Sequence, residues 1–317
     1  MARIATITLN PTIDGASEAE IVNHTHKIRT TQERFDPGGG GINVARVLAQ
    51  LGEDTEAVYL AGGVTGPLLS ELLQRINLAH RPIPIDGDTR VSLAVHERQS
   101  GKEYRFVPRG PSISQDEAQR CLDVIATIEC SWLVISGSLP PGVPDDFYCR
   151  IVEIARARDI PVVLDTSGGA LKATLAQGGI RLVKPSLGEI QQLAGHPLSD
   201  QKQIIEVAQS VVTSGGAETV VVTMGHKGAL LVEAGQAIVA PALEVQARSA
   251  VGAGDSFVAG MTFGLAQDWE SKRAFQLGLA AGTAAVLTPG TDLCHRDDIE
   301  RVAALFGIAD LLEGQVV

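Results

Sequence analysis

Short apolar runs alternate with longer amphipathic ones along most of the chain, and this constrains the fold more than any other feature. The runs RIATITL, EAVYLAG, WLVISGS, PVVLDTS, RLVKPS, TVVVTMG and GALLVEA are rich in Val, Ile, Leu and Thr. Most end in Gly, Ser, Pro or Asp, as strands do. Between them lie helical patterns such as INVARVLAQLG, DDFYCRIVEIARARD and KQIIEVAQSVVTSGG. Strand alternating with helix implies an α/β fold, a mostly parallel sheet covered by helices on both faces. The 317 residues, 44% of them hydrophobic, are enough for a substantial core. After about residue 254 the chain becomes helical and rich in Ala and Gly, which predicts close helix packing.

Two segments break the rhythm. Residues of about 19–35 and about 89–107 alternate polar and apolar side chains without a helical period. The second, RVSLAVHERQSGKEYRFV, predicts a hairpin turning at Ser100-Gly101. Together they predict a small separate sheet, a lid inserted in a single domain spanning 1–317. Its apolar face, with Val91, Leu93 and Val95, predicts pairing with a second copy.

Charge and cysteines exclude several classes. A formal net charge of −11 argues against a nucleic-acid or anionic-membrane surface. No pair among Cys121, Cys130, Cys149 and Cys294 has C-x-x-C spacing, so they read as reduced thiols of a cytoplasmic protein. MARIATITLN lacks a signal-peptide pattern, and no run approaches a membrane span. His24 and His26 are expected to share a strand face, but no third ligand accompanies them.

Two glycine turns are candidates for chemistry. In FDPGGGGINVAR no Lys-Ser or Lys-Thr follows the glycines, so there is no P-loop. The dinucleotide fingerprint fails too, because Asn43 stands where its third Gly belongs. ERFDP, ending in Pro, also reads as a poor strand. What remains is a turn whose bare amides and Asn43 can approach a hydroxyl-rich ligand. The second turn, SAVGAGDSF, opens a helix at about Gly254. Amides at a helix N-terminus attract anions. Asp255 there could accept a hydroxyl proton while those amides hold charge on a transferring phosphate. An Asp at that position could equally be a plain helix cap. Lys184 at a strand end could touch phosphate, and Glu189 one turn into a helix could hold magnesium through water. Thr223 to Gly228 forms a Gly turn between strands. Lys27, Arg29, Arg90 and Arg105, in or beside the lid segments, could meet a phosphate.

GGGGINVA together with AVGAGDSFVAG resembles the paired signatures of the PfkB (ribokinase-like) carbohydrate kinases. The likeness extends through TLNPTID, VISGSLPPG, VKPS, TMGHKGAL and GLAAGTAAVL, and is to the phosphosugar branch, nearest its type II 6-phosphofructokinases. It implies a ribokinase-like (Rossmann-like) fold with a β-sheet lid, and transfer of the ATP γ-phosphate to the 1-hydroxyl of fructose 6-phosphate. Tagatose-6-phosphate kinase and 1-phosphofructokinase are the alternatives within the family, and a catalytically inactive sugar-phosphate sensor is the alternative from another class.

The same resemblance implies site roles. Asp255 would be the base, with Gly252, Ala253 and Gly254 as the anion hole. Asp14, Gly38, Gly39, Asn43 and Ser138 would hold the sugar. Arg90, Arg105 and Arg29, with Lys27 across a dimer, would hold its phosphate. Lys184, Ser186, Thr223, Gly225 and Gly228 would hold ATP, and Glu189 would hold Mg2+ through water. Ser249, Val251, Ala285, Thr288 and Gly290 would bind K+. The implied assembly is a homodimer through the lid sheet, with a tetramer in ATP also open to it. Three positions depart from the family pattern: Ser186 in place of Asn in N-x-x-E, Ala250 before the second glycine turn, and Asp292 in place of a basic residue.

Overall fold

The computed structural model describes residues 4–288, 290 and 292–308. In chain order the elements are β1 (Ile4–Thr8), β2 (Thr12–Ala19), β3 (Thr30–Gly38), α1 (Gly40–Gln50), β4 (Thr55–Gly62), α2 (Gly66–Arg75), β5 (Ala79–Ile85), β6 (Arg90–Glu97) and β7 (Glu103–Phe106). Then come α3 (Gln115–Thr127), β8 (Trp132–Ser136), α4 (Phe147–Arg156), β9 (Val162–Asp165), α5 (Gly168–Gln177), β10 (Ile180–Val183), α6 (Leu187–Ala194) and α7 (Gln201–Thr213). The rest are β11 (Ala217–Thr223), β12 (Ala229–Glu233), β13 (Gln236–Ala240), α8 (Ala253–Ala266), α9 (Ser271–Val286) and α10 (Arg296–Leu305).

Among the described residues, nine strands form one sheet in the order β13-β12-β11-β10-β9-β8-β1-β4-β5. The run from β11 to β5 is parallel, and β12 and β13 add antiparallel at one edge. The strand period sorts the core. Leu133 and Ile135 face α3 to α7, while Val134 between them faces α1 and α8 to α10. Helix α1 buries Val44, Val47 and Leu48 at helical spacing. The expected close packing of the C-terminal helices is present: a Cβ on Gly260 of α8 would stand 2.8 Å from the Leu277 carbonyl of α9.

The smaller sheet has the order β3-β2-β6-β7. Its hairpin turns as expected, with Gly101 at φ 67°. Its boundaries differ from the predicted segments. It begins at Thr12, because the polar TIDGASEA pairs along its length with β6. Residues 20–29 are not strand. His24 and His26 therefore lie in a turn and share no strand face. ERFDP is a strand after all. β3 is the sheet's edge, so Pro37 withholds its missing N–H from solvent and not from a ladder. Phe35, Leu93 and Phe106 are exposed and stand in one row across this sheet, on either side of Gly15. Val91 does not join them. It packs against the cluster formed by Ile13, Ile42 and α2.

Candidate active site

The site lies where the order of strands reverses, beyond the C-terminal ends of β1 and β8, the usual crevice of such sheets. The four-glycine turn seats here, and the protein itself explains its lack of side chains. A Cβ on Gly41 would come 2.7 Å from the Ile7 carbonyl, and one on Gly39 2.8 Å from Thr8 Cγ2. A Cβ on Gly40 would collide with the Ser136 hydroxyl, and one on Gly38 with the Asp14 carboxylate. The sequence pointed to a ligand as the close neighbour; the sheet end is such a neighbour too, and Gly40 also borders a polar cavity. The turn opens α1 and carries Asn43, 7% exposed, towards α8.

Helix α8 begins after Gly252, which adopts a left-handed φ of 73°. Asp255 sits in its first turn, and no side-chain bond caps this helix. The plain-cap reading of Asp255 is therefore set aside. Its Oδ2 accepts from Asn43 Nδ2 at 2.8 Å. Burial, reinforced by the Asp165 carboxylate, pushes the Asp255 pKa up to about 6, although Asn43 and Lys184 pull the other way.

Two cavities meet at this helix end. One, about 450 Å³, is lined by Thr223, Gly225 and Gly228 on one side and by Ala253, Gly254 and Phe257 on the other. Leu279, Gly282 and Val286 make its far wall apolar, as a flat aromatic base would require. The other cavity, about 230 Å³, is polar; it brings Gly40, Ser138, Asp165, Glu189 and Asp255 together. Consecutive residues Gly254 and Asp255 thus face different cavities.

Lys184 Nζ pairs with Asp165 Oδ1 at 2.9 Å, with side chains 7% and 14% exposed. Burial pulls the Lys184 ammonium down, but Asp165, Glu189 and Asp255 around it more than offset that and leave its pKa raised. Burial likewise raises Asp165 against the pull of Lys184. Three carboxylates around one ammonium leave an excess of negative charge, which suits an added cation. Among the described residues no group of three or more His, Cys, Asp or Glu could hold a metal. A cation held partly through water therefore fits better than a caged one. Asp165 escaped the sequence reading. An acid at the C-terminal end of a parallel strand, in LDTS, was the available signal.

Other predicted residues are distributed unevenly. Arg90 donates to the carbonyls of Asn10 (2.7 Å), Pro11 (3.3 Å) and Pro108 (3.0 Å). Burial lowers its pKa, with Asp14 opposing. Asp14 accepts from the Ser92 hydroxyl and shares a sheet face with Arg90. Arg105 lies opposite Ala94, exposed. Lys27 and Arg29 are exposed in the 20–29 connection and line neither cavity. Ser186 differs from expectation. Its hydroxyl caps α6 by accepting from Glu189 N, while the Glu189 carboxylate accepts from Ser186 N at 2.7 Å. Ser249 donates to the Gly290 carbonyl at 2.9 Å and Thr288 to the Ala285 carbonyl at 2.8 Å, so this predicted oxygen set is gathered in one loop cluster. Val251 joins it through its N–H to the Ser249 hydroxyl.

A parallel α/β sheet, an anion-ready helix end and a carboxylate between two cavities define a phosphotransferase of the ribokinase type. Residues 8–298 match the family described as pfkB family carbohydrate kinase, and the chain belongs to it. It is similar to the ATP-dependent 6-phosphofructokinase isozyme 2 of Escherichia coli (strain K12), 41% identical over 305 residues, 96% of this chain and 99% of that protein. Phosphofructokinase-2 from Escherichia coli, solved in complex with fructose-6-phosphate, superposes with a TM-score of 0.91 at 39% identity, over 97% of this chain and 100% of that one. Its structure in complex with potassium gives 0.93 at 40% identity, with the same coverage.

Proposed function

We propose that this chain transfers the γ-phosphoryl group of ATP to the 1-hydroxyl of fructose 6-phosphate. The observation that carries this reading is the position of Asp255. It lies between two cavities, is free of capping duty, and carries a carboxyl whose pKa of about 6 suits a base near neutrality. Asp255 takes the proton from the 1-hydroxyl oxygen as that oxygen bonds to the γ-phosphorus. The bond from that phosphorus to the β,γ-bridging oxygen breaks, and ADP leaves. The charge on the transferring group is met by the α8 N-terminal amides from Gly252, Ala253 and Gly254, and by Lys184.

The nucleotide occupies the 450 Å³ cavity, with Thr223, Gly225 and Gly228 along its rim. The sugar occupies the polar cavity, near Asp14, Gly38, Gly39, Asn43 and Ser138. Its 6-phosphate meets Arg90, whose three bonds to carbonyls leave two of five guanidinium donors for a ligand. Arg105 stands on the same sheet face. Glu189, beside Asp165, would hold Mg2+ through water, and the ion would neutralise phosphate charge. The Ser249, Val251, Ala285, Thr288 and Gly290 cluster would hold K+ through carbonyl and hydroxyl oxygens.

We take the whole chain as one kinase unit with the small sheet as its lid. The exposed row of Phe35, Leu93 and Phe106 supports pairing of that lid with a second copy, which would also bring Lys27 to the partner's sugar phosphate. Among the described residues no helix is long and apolar enough to cross a membrane.

The test is ADP release with fructose 6-phosphate, tagatose 6-phosphate and fructose 1-phosphate in parallel. The expected order has fructose 6-phosphate highest in kcat/KM. No turnover with any sugar phosphate would turn the assignment into a sensor. Sedimentation with and without ATP reads the assembly, and an active monomer would reject the shared lid.

A further inference from the structure

Asn43 and Asp255 are 212 positions apart, yet the Asn43 amide nitrogen lies 2.8 Å from Asp255 Oδ2. Asn43 is nearly sealed from solvent, at 7% exposure. Its backbone is fixed by a bond from its N–H to the Gly39 carbonyl at 2.9 Å. The helices carrying the two residues share a core through Val44, Val47, Leu48 and Val258. Neither side chain therefore meets the other by chance of a mobile loop. A carboxylate only accepts hydrogen bonds, so the amide must turn its NH2 towards it. The terminal torsion of Asp is soft and roughly two-fold, so a free carboxylate presents either oxygen.

From this geometry we infer that Asn43 is a positioning residue for the base: it holds Oδ2 and so presents Oδ1 to the acceptor hydroxyl. The inference rests on Asp255 being that base. It goes beyond a sugar contact for Asn43, because it makes the residue act through Asp255. The groups facing Asp255 are Asp165 from β9, Lys184 just after β10, Asp14 from β2 and Asn43 from α1. The two acids disfavour its charged form, and Lys184 and Asn43 favour it. Lys184 is already engaged by Asp165, which leaves Asn43 as the neutral donor bonded directly to the carboxylate.

A sugar ligand and a positioning residue differ in what they move. Loss of a sugar contact raises KM for the sugar phosphate and leaves the pH dependence of kcat alone. Loss of a donor to the base lowers kcat and moves the acid limb upward. The substrate phosphate ionises near pH 6 as well, but it does so identically for every variant, so the difference between enzymes is the readout. For Asn43→Leu, kcat should fall about ten- to hundredfold. Its acid limb should move up by about one pH unit, with KM for ATP unchanged. Asn43→Asp keeps the shape and sets a second carboxylate against the first. Its limb should move further still, because adjacent carboxylates share a proton. Being isosteric, it carries the test should the leucine variant not fold. A limb that stays in place, with only the sugar KM raised, overturns the inference. Asp255→Asn separates the two levels: near-wild-type turnover there sinks the base assignment itself. An inactive Asp255→Asn with unmoved limbs in the Asn43 variants sinks only the positioning role.

Discussion

The two glycine turns look alike in sequence and are glycine-rich for opposite reasons. At residues 38–41 the protein's own atoms occupy the space of every side chain, including the Ile7 carbonyl 2.7 Å from a Cβ on Gly41. At Gly254 the nearest atom to an added Cβ is Lys184 Nζ at 3.6 Å, an ordinary contact. Nothing in the fold forbids a methyl group there, and the residue lines the larger cavity. The first turn is bare so that α1 can seat on the sheet. In the second, Gly252 is bare for its left-handed backbone and for Leu293 beside it, and Gly254 is bare with room for something outside the chain to approach. Glycine content alone therefore does not say why each glycine is required; the neighbour that would be struck does, and Gly40 of the first turn lines the polar cavity as well.

The sharpest break in this comparison is Asp255→Asn at the second turn. General-base help is worth roughly 10²–10⁴ in rate, so kcat should drop at least about a hundredfold. The fold should not suffer. An acid whose folded pKa is raised is less costly to hold when protonated. Its penalty is absent below the unfolded pKa near 4 and grows in full as pH rises past about 6. Asp255→Asn should thus be more stable than the parent at pH 7 by about 1–3 kcal/mol, allowing for cavity water. That gain should vanish near pH 4. Urea melts of both proteins at the two pH values, beside kcat, read this directly. A variant equally stable at both would contradict the burial argument.

Next in size is Gly41→Ala at the first turn. Its Cβ meets a backbone carbonyl that cannot rotate away, so strain of about 1–3 kcal/mol is expected. Denaturant midpoints should show it, with KM for ATP little changed in the protein that remains folded. The pH profile follows. The wild-type kcat should decline below about pH 6 as Asp255 takes up a proton. A flat profile down to pH 5 would remove the base from the rate.

The smallest stability effect, and the one that separates the turns most cleanly, belongs to Gly254→Ala. Inside the first turn of a helix, Ala replaces Gly with a gain of roughly 0.5–1 kcal/mol. The melting temperature should therefore rise slightly while kcat/KM for ATP falls about tenfold or more. A variant both stabilised and fully active would make the two turns equivalent and empty the comparison.

Seven of the nine main-sheet strands could be read from the chain because each is a continuous apolar run. The two that could not, β5 and β13, are the edges of that sheet. AHRPIPI and QAIVA are half-exposed there, so burial does not write itself into their composition. The lid's first strand, TIDGASEA, was hidden for a related reason, since its parallel partner β6 lies dozens of residues away and most of its own residues are polar or small. Asp255, Asn43 and Lys184 were visible as candidates because a strand end or a helix start gives each a local reason to act.

The sequence by itself thus determined the layering, the hairpin, the helix that presents Asp255 and the family to which the chain belongs. These follow from periodicity and turn chemistry, which act over a few neighbouring residues. Only the tertiary structure decided that Asp165 pairs with Lys184, that Asn43 reaches Asp255, and that the first glycine turn is filled by the protein itself. Those contacts join segments that no local pattern relates. The register of a nine-stranded sheet and the docking of α1 against α8 fix which side chains share a cavity. Burial in that cavity then sets the charge of the carboxylate at its centre.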